Sequence, residues 1–265
     1  MSEQLLKDLA RYHKPTASLD RQQYVRMLLY GTWGVGKTVL ACQVGLSPLL
    51  FVTEPSDDSL RDWPEIASRV TVTEYGGLNH LSLIAQAIES GDYLHDTLIV
   101  DTVSELVEAQ LDDIRDRWKA PKDTRPTYAP KSLNGPPPRE INGTDDYRLI
   151  RDSLRPIISK LCSLPINLIL TAHEREASWA DEAKLAKDGT PLPPTRPDLP
   201  SQTLKLIAKR VSLVGRMTRQ GDNRLLSFRT DNTSKEEVKS RILELDGKRL
   251  TDTEFIEIVN RWRTN

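Results

Sequence analysis

Eight consecutive residues, Gly31-Thr32-Trp33-Gly34-Val35-Gly36-Lys37-Thr38, carry the plainest chemistry in this chain. They fit the pattern G-x-x-x-x-G-K-[ST], in which a glycine-rich loop cradles phosphate. Glycines let successive backbone N–H groups curl around an anion, and a helix starting beside them adds a partial positive charge. Lys37 would reach the β- and γ-phosphates and the Thr38 hydroxyl would ligate Mg²⁺. Gly31, Thr32, Trp33, Gly34, Val35, Gly36 and Val39 would complete the wall of the site. The flanks agree with this: the strand-like run Tyr24–Tyr30 precedes the loop, and Val39–Val44 can continue as a helix. The pattern implies a nucleoside triphosphate as ligand.

A second acidic position follows downstream. Leu98-Ile99-Val100-Asp101 is an apolar strand ending in a carboxylate, placed to support the metal beside Thr38. Many ATPases put a catalytic Glu directly after this Asp, but here the next residue is Thr102. A base for the attacking water must then come from elsewhere. Glu54 ends the predicted strand Leu49–Thr53, and if that strand neighbours the phosphate-loop strand its tip would face the γ-phosphate. Glu105, one helical turn beyond Asp101, ranks behind it.

These residues need a scaffold, and the rest of the chain supplies one. Apolar runs at 48–53, 70–73, 97–101 and 166–171 alternate with helical periodicity over 78–90, 103–118 and 145–161, the last containing Pro156. That alternation predicts an α/β fold with a mainly parallel central sheet flanked by helices. After residue 201 come a helix, then Val211–Val214 and Leu225–Phe228 around Gln220-Gly221-Asp222-Asn223, the signal of a C-terminal β-hairpin extension. A last helix is predicted over about 252–262. Residues 1–20 read as an N-terminal helix and linker, with Leu5, Leu9 and Tyr12 at helical spacing, and residues 21–265 as the main domain. Two long segments interrupt it: the Pro-rich insertion 119–143 and the stretch 174–200. Loops of that length in a compact domain usually carry function or are disordered.

Composition excludes several classes. No run approaches the ~18 apolar residues of a membrane span, and the N-terminus lacks the basic start and apolar core of a signal peptide. A cytoplasmic location without membrane attachment is expected. Cys42 and Cys162 lie in predicted helices with no metal-ligand spacing and read as reduced, packed thiols. The net charge of −1 hides an asymmetry, because residues 51–116 hold fifteen Asp/Glu against three Lys/Arg and residues 201–265 hold fourteen Lys/Arg against nine Asp/Glu. Such opposed faces suit head-to-tail packing of subunits or one face turned towards a polyanion.

In its ordered motifs the chain resembles the RecA-like P-loop ATPases, and more closely the short phage-encoded RecA-like proteins with roles in single-strand annealing and recombination. The resemblance rests on Leu29-Tyr30-Gly31 leading into Gly34–Thr38, then Phe51–Glu54, Ile99–Thr102, Leu164–Glu174 and Val214–Met217, over about residues 25–245. It implies ATP with Mg²⁺ as cofactors and hydrolysis of ATP. It implies that His173, after the strand ending at Thr171, senses the γ-phosphate and reports to a DNA-contacting loop at 174–200. It also implies that Lys239 and Arg241, matching a Lys-x-Arg element, reach the γ-phosphate of an adjacent subunit in a homo-oligomeric ring or filament, with Arg216 and Arg229 as weaker alternatives. The short aromatic motif by which recombinase members of the family pack subunits is missing from this sequence.

The ligand expected from the resemblance is single-stranded DNA, with a single-strand-binding protein as a further partner and the host cytoplasm as the location if the chain is phage-encoded. Trp118, Tyr128 and Trp179 could stack on bases, and Lys184, Lys187, Arg196, Lys205, Lys209 and Arg210 could meet phosphates, although Glu174, Glu176, Asp181 and Glu182 make the start of the second loop acidic. Three other readings stand beside this one: a hexameric helicase or translocase motor, a nucleotide-gated assembly module, and a small-molecule kinase.

Overall fold

Alternation along the apolar strands divides the hydrophobic core in two. The computed structural model describes residues 24–54, 57–119, 144–176, 195–228, 238–242 and 244–264. The expected N-terminal helix, nearly all of the insertion 119–143, and the residues from 177 to 194 lie outside the described residues, as do Tyr128, Trp179, Lys184, Lys187 and Arg229. Five strands run parallel: β1 (Arg26–Gly31), β2 (Pro48–Val52), β3 (Thr71–Glu74), β4 (Thr97–Asp101) and β5 (Asn167–Glu176). A short β6 (Thr195–Pro197) pairs antiparallel with the end of β5. β7 (Leu213–Gln220) adds to β1 in parallel, then turns back through Gly221-Asp222 into β8 (Asn223–Ser227). β9 (Lys239–Ser240) and β10 (Arg249–Thr251) pair antiparallel with β7 and β8. The order across the sheet is β10-β8-β7-β1-β5-β4-β2-β3. This is a mainly parallel sheet with a β-hairpin extension on the β1 edge, the α/β P-loop fold expected from the sequence.

Successive side chains of a strand point to opposite faces, and both faces here are apolar. Leu28, Tyr30, Leu98, Val100, Leu168 and Leu170 pack on one side against α2 (Leu78–Ser90), α3 (Val103–Lys119), α4 (Thr144–Leu161) and α5 (Ser201–Arg210). Met27, Leu29, Leu50, Ile99 and Ile169 pack on the other side against α1 (Lys37–Val44) and α6 (Asp252–Thr264). Parallel strands covered on both faces read as continuous apolar runs, and these do. Leu168 sits between Arg26 of β1 and Leu98 of β4 and is fully buried. Leu168→Ala should therefore cost about 2–5 kcal/mol in urea unfolding with an unchanged denaturant slope. Nucleotide affinity should hold, because Leu168 lies at the strand end remote from the site.

Two boundaries at named residues differ from the sequence reading, and one helix keeps its expected span. β5 continues through His173 to Glu176, because β6 returns to pair with it, so residues 174–176 are strand and not loop. α4 spans Thr144–Leu161 with Pro156 inside it, the helix expected over 145–161. Cys162 falls one residue past the end of α4, while Cys42 lies within α1. Both thiols are free, and burial pushes Cys42 up to about 12 and raises Cys162 as well. Among the described residues no helix is long and apolar enough to cross a membrane.

Candidate functional site

Parallel strands bring their carboxyl ends to one edge, and open α/β sheets bind ligands there. The loop Thr32–Gly36 joins the tip of β1 to α1, whose first residues are Lys37 and Thr38. Gly36 holds φ at +101°, a left-handed conformation that only glycine adopts without strain. Gly31 meets the Met217 carbonyl so closely that a Cβ would clash with it. Lys37 Nζ donates to the carbonyls of Gly31 at 3.1 Å and Thr32 at 2.9 Å. Burial lowers its pKa, while Asp101, Glu54 and Glu174 pull it the other way. The loop thus concentrates backbone donors and one buried cation, which fits a polyphosphate.

Asp101 is 1% exposed and held at both carboxylate oxygens. Thr38 Oγ1 donates to its Oδ2 at 2.8 Å, and Thr171 Oγ1 donates to its Oδ1. This set of hard oxygen donors beside a phosphate cradle fits Mg²⁺.

Glu54 reaches the site by a different route from the one expected. β2 does not neighbour β1; β5 and β4 stand between them. Thr53 extends the β2–β4 pairing by one step: its N–H donates to Asp101 O at 2.9 Å, its hydroxyl to Thr102 O at 2.8 Å, and the Thr102 N–H to that hydroxyl at 2.8 Å. The next residue, Glu54, then turns towards β5, where its Oε1 lies 3.2 Å from His173 Nε2. His173 is anchored through its main chain: its N–H donates to Ser104 Oγ at 3.1 Å, and its carbonyl accepts from the Asp198 N–H at 2.8 Å. Its ring stacks on Trp33 at 3.7 Å between centroids and 14° between planes. Burial first, and then the Lys37 charge, hold His173 below the usual imidazole pKa. At pH 7 the ring is therefore neutral and the Glu54–His173 contact is not an ion pair. Neither ring nitrogen has an aligned hydrogen-bond partner.

Glu105 belongs to this cluster more than the sequence showed, since the ligating atoms of Glu54, Glu105 and His173 all lie within 4.8 Å of one another. Burial raises the pKa of Glu54, and the negative charges of Glu105 and Asp101 raise it further. A carboxylate base works only when ionised, so if Glu54 holds that role turnover should fall on the acid side with a midpoint above that of an ordinary glutamate. Glu105→Gln removes one of the like charges and should move that acid limb of kcat to lower pH. A pH profile of both forms checks this.

The cleft encloses about 310 Å³ and is lined by Trp33, Lys37, Thr38, Glu54, Asp101 and His173 together with Ser59, Trp63, Thr102 and Arg224. Ser59, Trp63 and Arg224 carry no motif and sequence reasoning missed them, while Thr102 was read only as the residue after Asp101 and given no place in the site. Trp63 and Arg224 in particular lie 161 positions apart in sequence and meet only through the fold, with the guanidinium 5.0 Å over the indole. Lys239 and Arg241 lie elsewhere: Lys239 Nζ donates to the carbonyls of Ala208 and Val211, and Arg241 Nη2 to that of Lys209. They cap the end of α5 and do not line this chain's own cleft, and Lys239 lies on the short strand β9. The Glu174 side chain is 3% exposed and forms a two-pronged pair with Arg216 at 2.8 and 2.9 Å, so it is not an exposed loop acid. The pair links β5 to β7 across the tip of β1.

The family model described as "AAA domain" matches residues 23–242. No curated protein matches the chain. Among solved structures, the flagellar accessory protein FlaH from Methanocaldococcus jannaschii aligns over 88% of this chain and 93% of its own at 14% identity, with a TM-score of 0.36. The family match spans every strand that carries the site and most of the molecule, so the chain belongs to the AAA domain family and is a P-loop ATPase.

Proposed function

We propose that this chain is a RecA-like, Mg²⁺-dependent ATPase that acts on single-stranded DNA, in recombination, annealing or replication of the phage type. The contact between Glu54 Oε1 and His173 Nε2 is the observation that carries the reading. Burial, and then the charges of Glu105 and Asp101, raise the proton affinity of Glu54, and His173 stands on β5, the strand that leads directly into residues 177–194. A change at the γ-phosphate end of the cleft thus has a short covalent route to the segment proposed to meet DNA.

In this reading Lys37 binds the β- and γ-phosphates, and Thr38 and Asp101 hold the metal. Mg²⁺, when bound, neutralises charge on the phosphate oxygens. Glu54 orients the attacking water and takes its proton. Lys239 and Arg241 contribute to a neighbouring subunit's site in a ring or filament, with their links to α5 exchanged for that contact. A single-strand-binding protein is the partner proposed for loading onto DNA.

The test is ATP turnover with and without single-stranded DNA in Mg²⁺ buffer. Stimulation by DNA, absent when Mg²⁺ is chelated, is the expected result. Turnover indifferent to DNA would overturn the DNA role and turn attention to a phosphate acceptor or to nucleotide-gated assembly.

A further inference from the structure

The C-terminal hairpin delivers a cation to the phosphate cradle. Arg224 is the second residue of β8, paired with Arg219 across the turn, and it lines the cleft. Its guanidinium packs directly on the P-loop, because a Cβ built on Gly36 would lie 2.9 Å from Arg224 Nε and 3.0 Å from its Cζ. Gly36 therefore serves two purposes: it takes up the left-handed turn, and it leaves room for the arginine. The guanidinium lies over the Trp63 ring, with Cζ 5.0 Å from its centroid. Asp252, the first residue of α6, stands 3.7 Å from Nη1, too far for a hydrogen bond. Nη1 is buried with no hydrogen-bond partner, although the side chain as a whole is 21% exposed.

A buried guanidinium donor without an acceptor is costly, and guanidinium N–H groups match phosphate oxygens in geometry and charge. Glu54, His173 and Trp33 touch one another within the cleft, where water would be activated. Arg224 is set instead against Gly36, the residue before α1, and against Trp63. A helix start next to a glycine-rich loop is where a phosphate chain is held, so an arginine packed on Gly36 would meet the inner phosphates.

We propose that Arg224 is a phosphate-binding residue supplied in cis by the hairpin, donating to an α- or β-phosphate oxygen of the bound nucleotide. The proposal rests on the nucleotide reading of the cleft. It assigns Arg224 a role different from that of Lys239 and Arg241, since it needs no second subunit and does not distinguish ATP from ADP. The hairpin then links nucleotide occupancy to α6 through Asp252.

The experiment titrates fluorescent ATP and ADP analogues into the wild-type chain, R224A and R224K, with kcat at saturating ATP and thermal melting alongside. R224A is expected to bind both analogues about 10- to 100-fold more weakly, with kcat at saturation within about threefold, the size of effect expected when only uniform binding is removed. R224K should recover part of the loss for both, because it restores the charge without the planar fork. Unchanged ADP affinity in a folded R224A would overturn the proposal. A loss confined to ATP and kcat would do so too, because it would put the arginine at the γ-phosphate. If R224A does not fold, R224K is read by the same criterion, with equal weakening for the two analogues supporting the proposal. If the wild-type chain binds neither analogue, the nucleotide reading falls and the proposal with it, whereas wild-type binding with an indifferent R224A removes the proposal alone.

Discussion

Lys37→Ala should weaken ATP binding by about 10²- to 10⁴-fold while the protein stays folded. The lysine would make charge-assisted contacts to two phosphates, and hydrogen bonds to charged groups contribute about 1.5–3 kcal/mol each. Its link to the Thr32 carbonyl is replaceable by water at the loop surface, since Thr32 is exposed, and the buried Gly31 carbonyl alone loses its lysine donor. The melting temperature should therefore move by no more than about 2–4 °C, the shift that 1 kcal/mol gives in a domain of this size. The pH dependence of stability supplies a second reading of the same variant. Burial holds Lys37 below its ordinary value of 10.5 in the folded state. Between the lowered folded pKa and 10.5 the unfolded chain binds more protons, so wild-type stability should rise with pH through that window. Lys37→Ala should lack that rise. A folded variant that keeps its ATP affinity would refute the P-loop assignment.

Glu54→Gln should leave ATP affinity within about threefold and lower kcat by about 10²- to 10⁴-fold, the range for loss of a positioned general base. The substitution keeps the shape of the side chain and its place beside His173, but an amide cannot take a proton from water. Single-turnover hydrolysis together with equilibrium binding separates the two effects. The competing carboxylate is Glu105, whose oxygen lies in the same cluster. Near-normal turnover in Glu54→Gln and a loss of comparable size in Glu105→Gln would transfer the role to Glu105. Neither result would disturb the metal side of the site, where Asp101 is held by Thr38 and Thr171 and not by either glutamate.

Residues close in sequence made part of this molecule legible without coordinates. Gly31 to Thr38 form a loop whose conformation is set by its own glycines, so the phosphate cradle follows from local backbone freedom. The strands ending at Gly31 and Asp101 and the apolar part of β5 up to Thr171 could be placed because fully buried parallel strands are apolar on both faces, and an acid at such an end stands out. The same pattern carries no information about which strand lies beside which. β1 and β2 read as neighbours in sequence, yet β5 and β4 separate them, and Glu54 meets His173 only because Thr53 prolongs the β2–β4 pairing past the strand end. Glu174 reads as a loop acid from its sequence neighbours, but Arg216, on the far side of β1, neutralises it.

The sequence by itself determined the chemistry of the phosphate loop, the acid that stands beside it, and the alternation of apolar strands and helices. Each of these is a property of a few consecutive residues. The tertiary structure alone decided the strand order, the pairing of Glu54 with His173, and the arrival of Arg224 over Trp63 at the edge of the loop. These depend on contacts between residues tens to more than a hundred positions apart, which backbone hydrogen bonding across the sheet selects and local periodicity does not record.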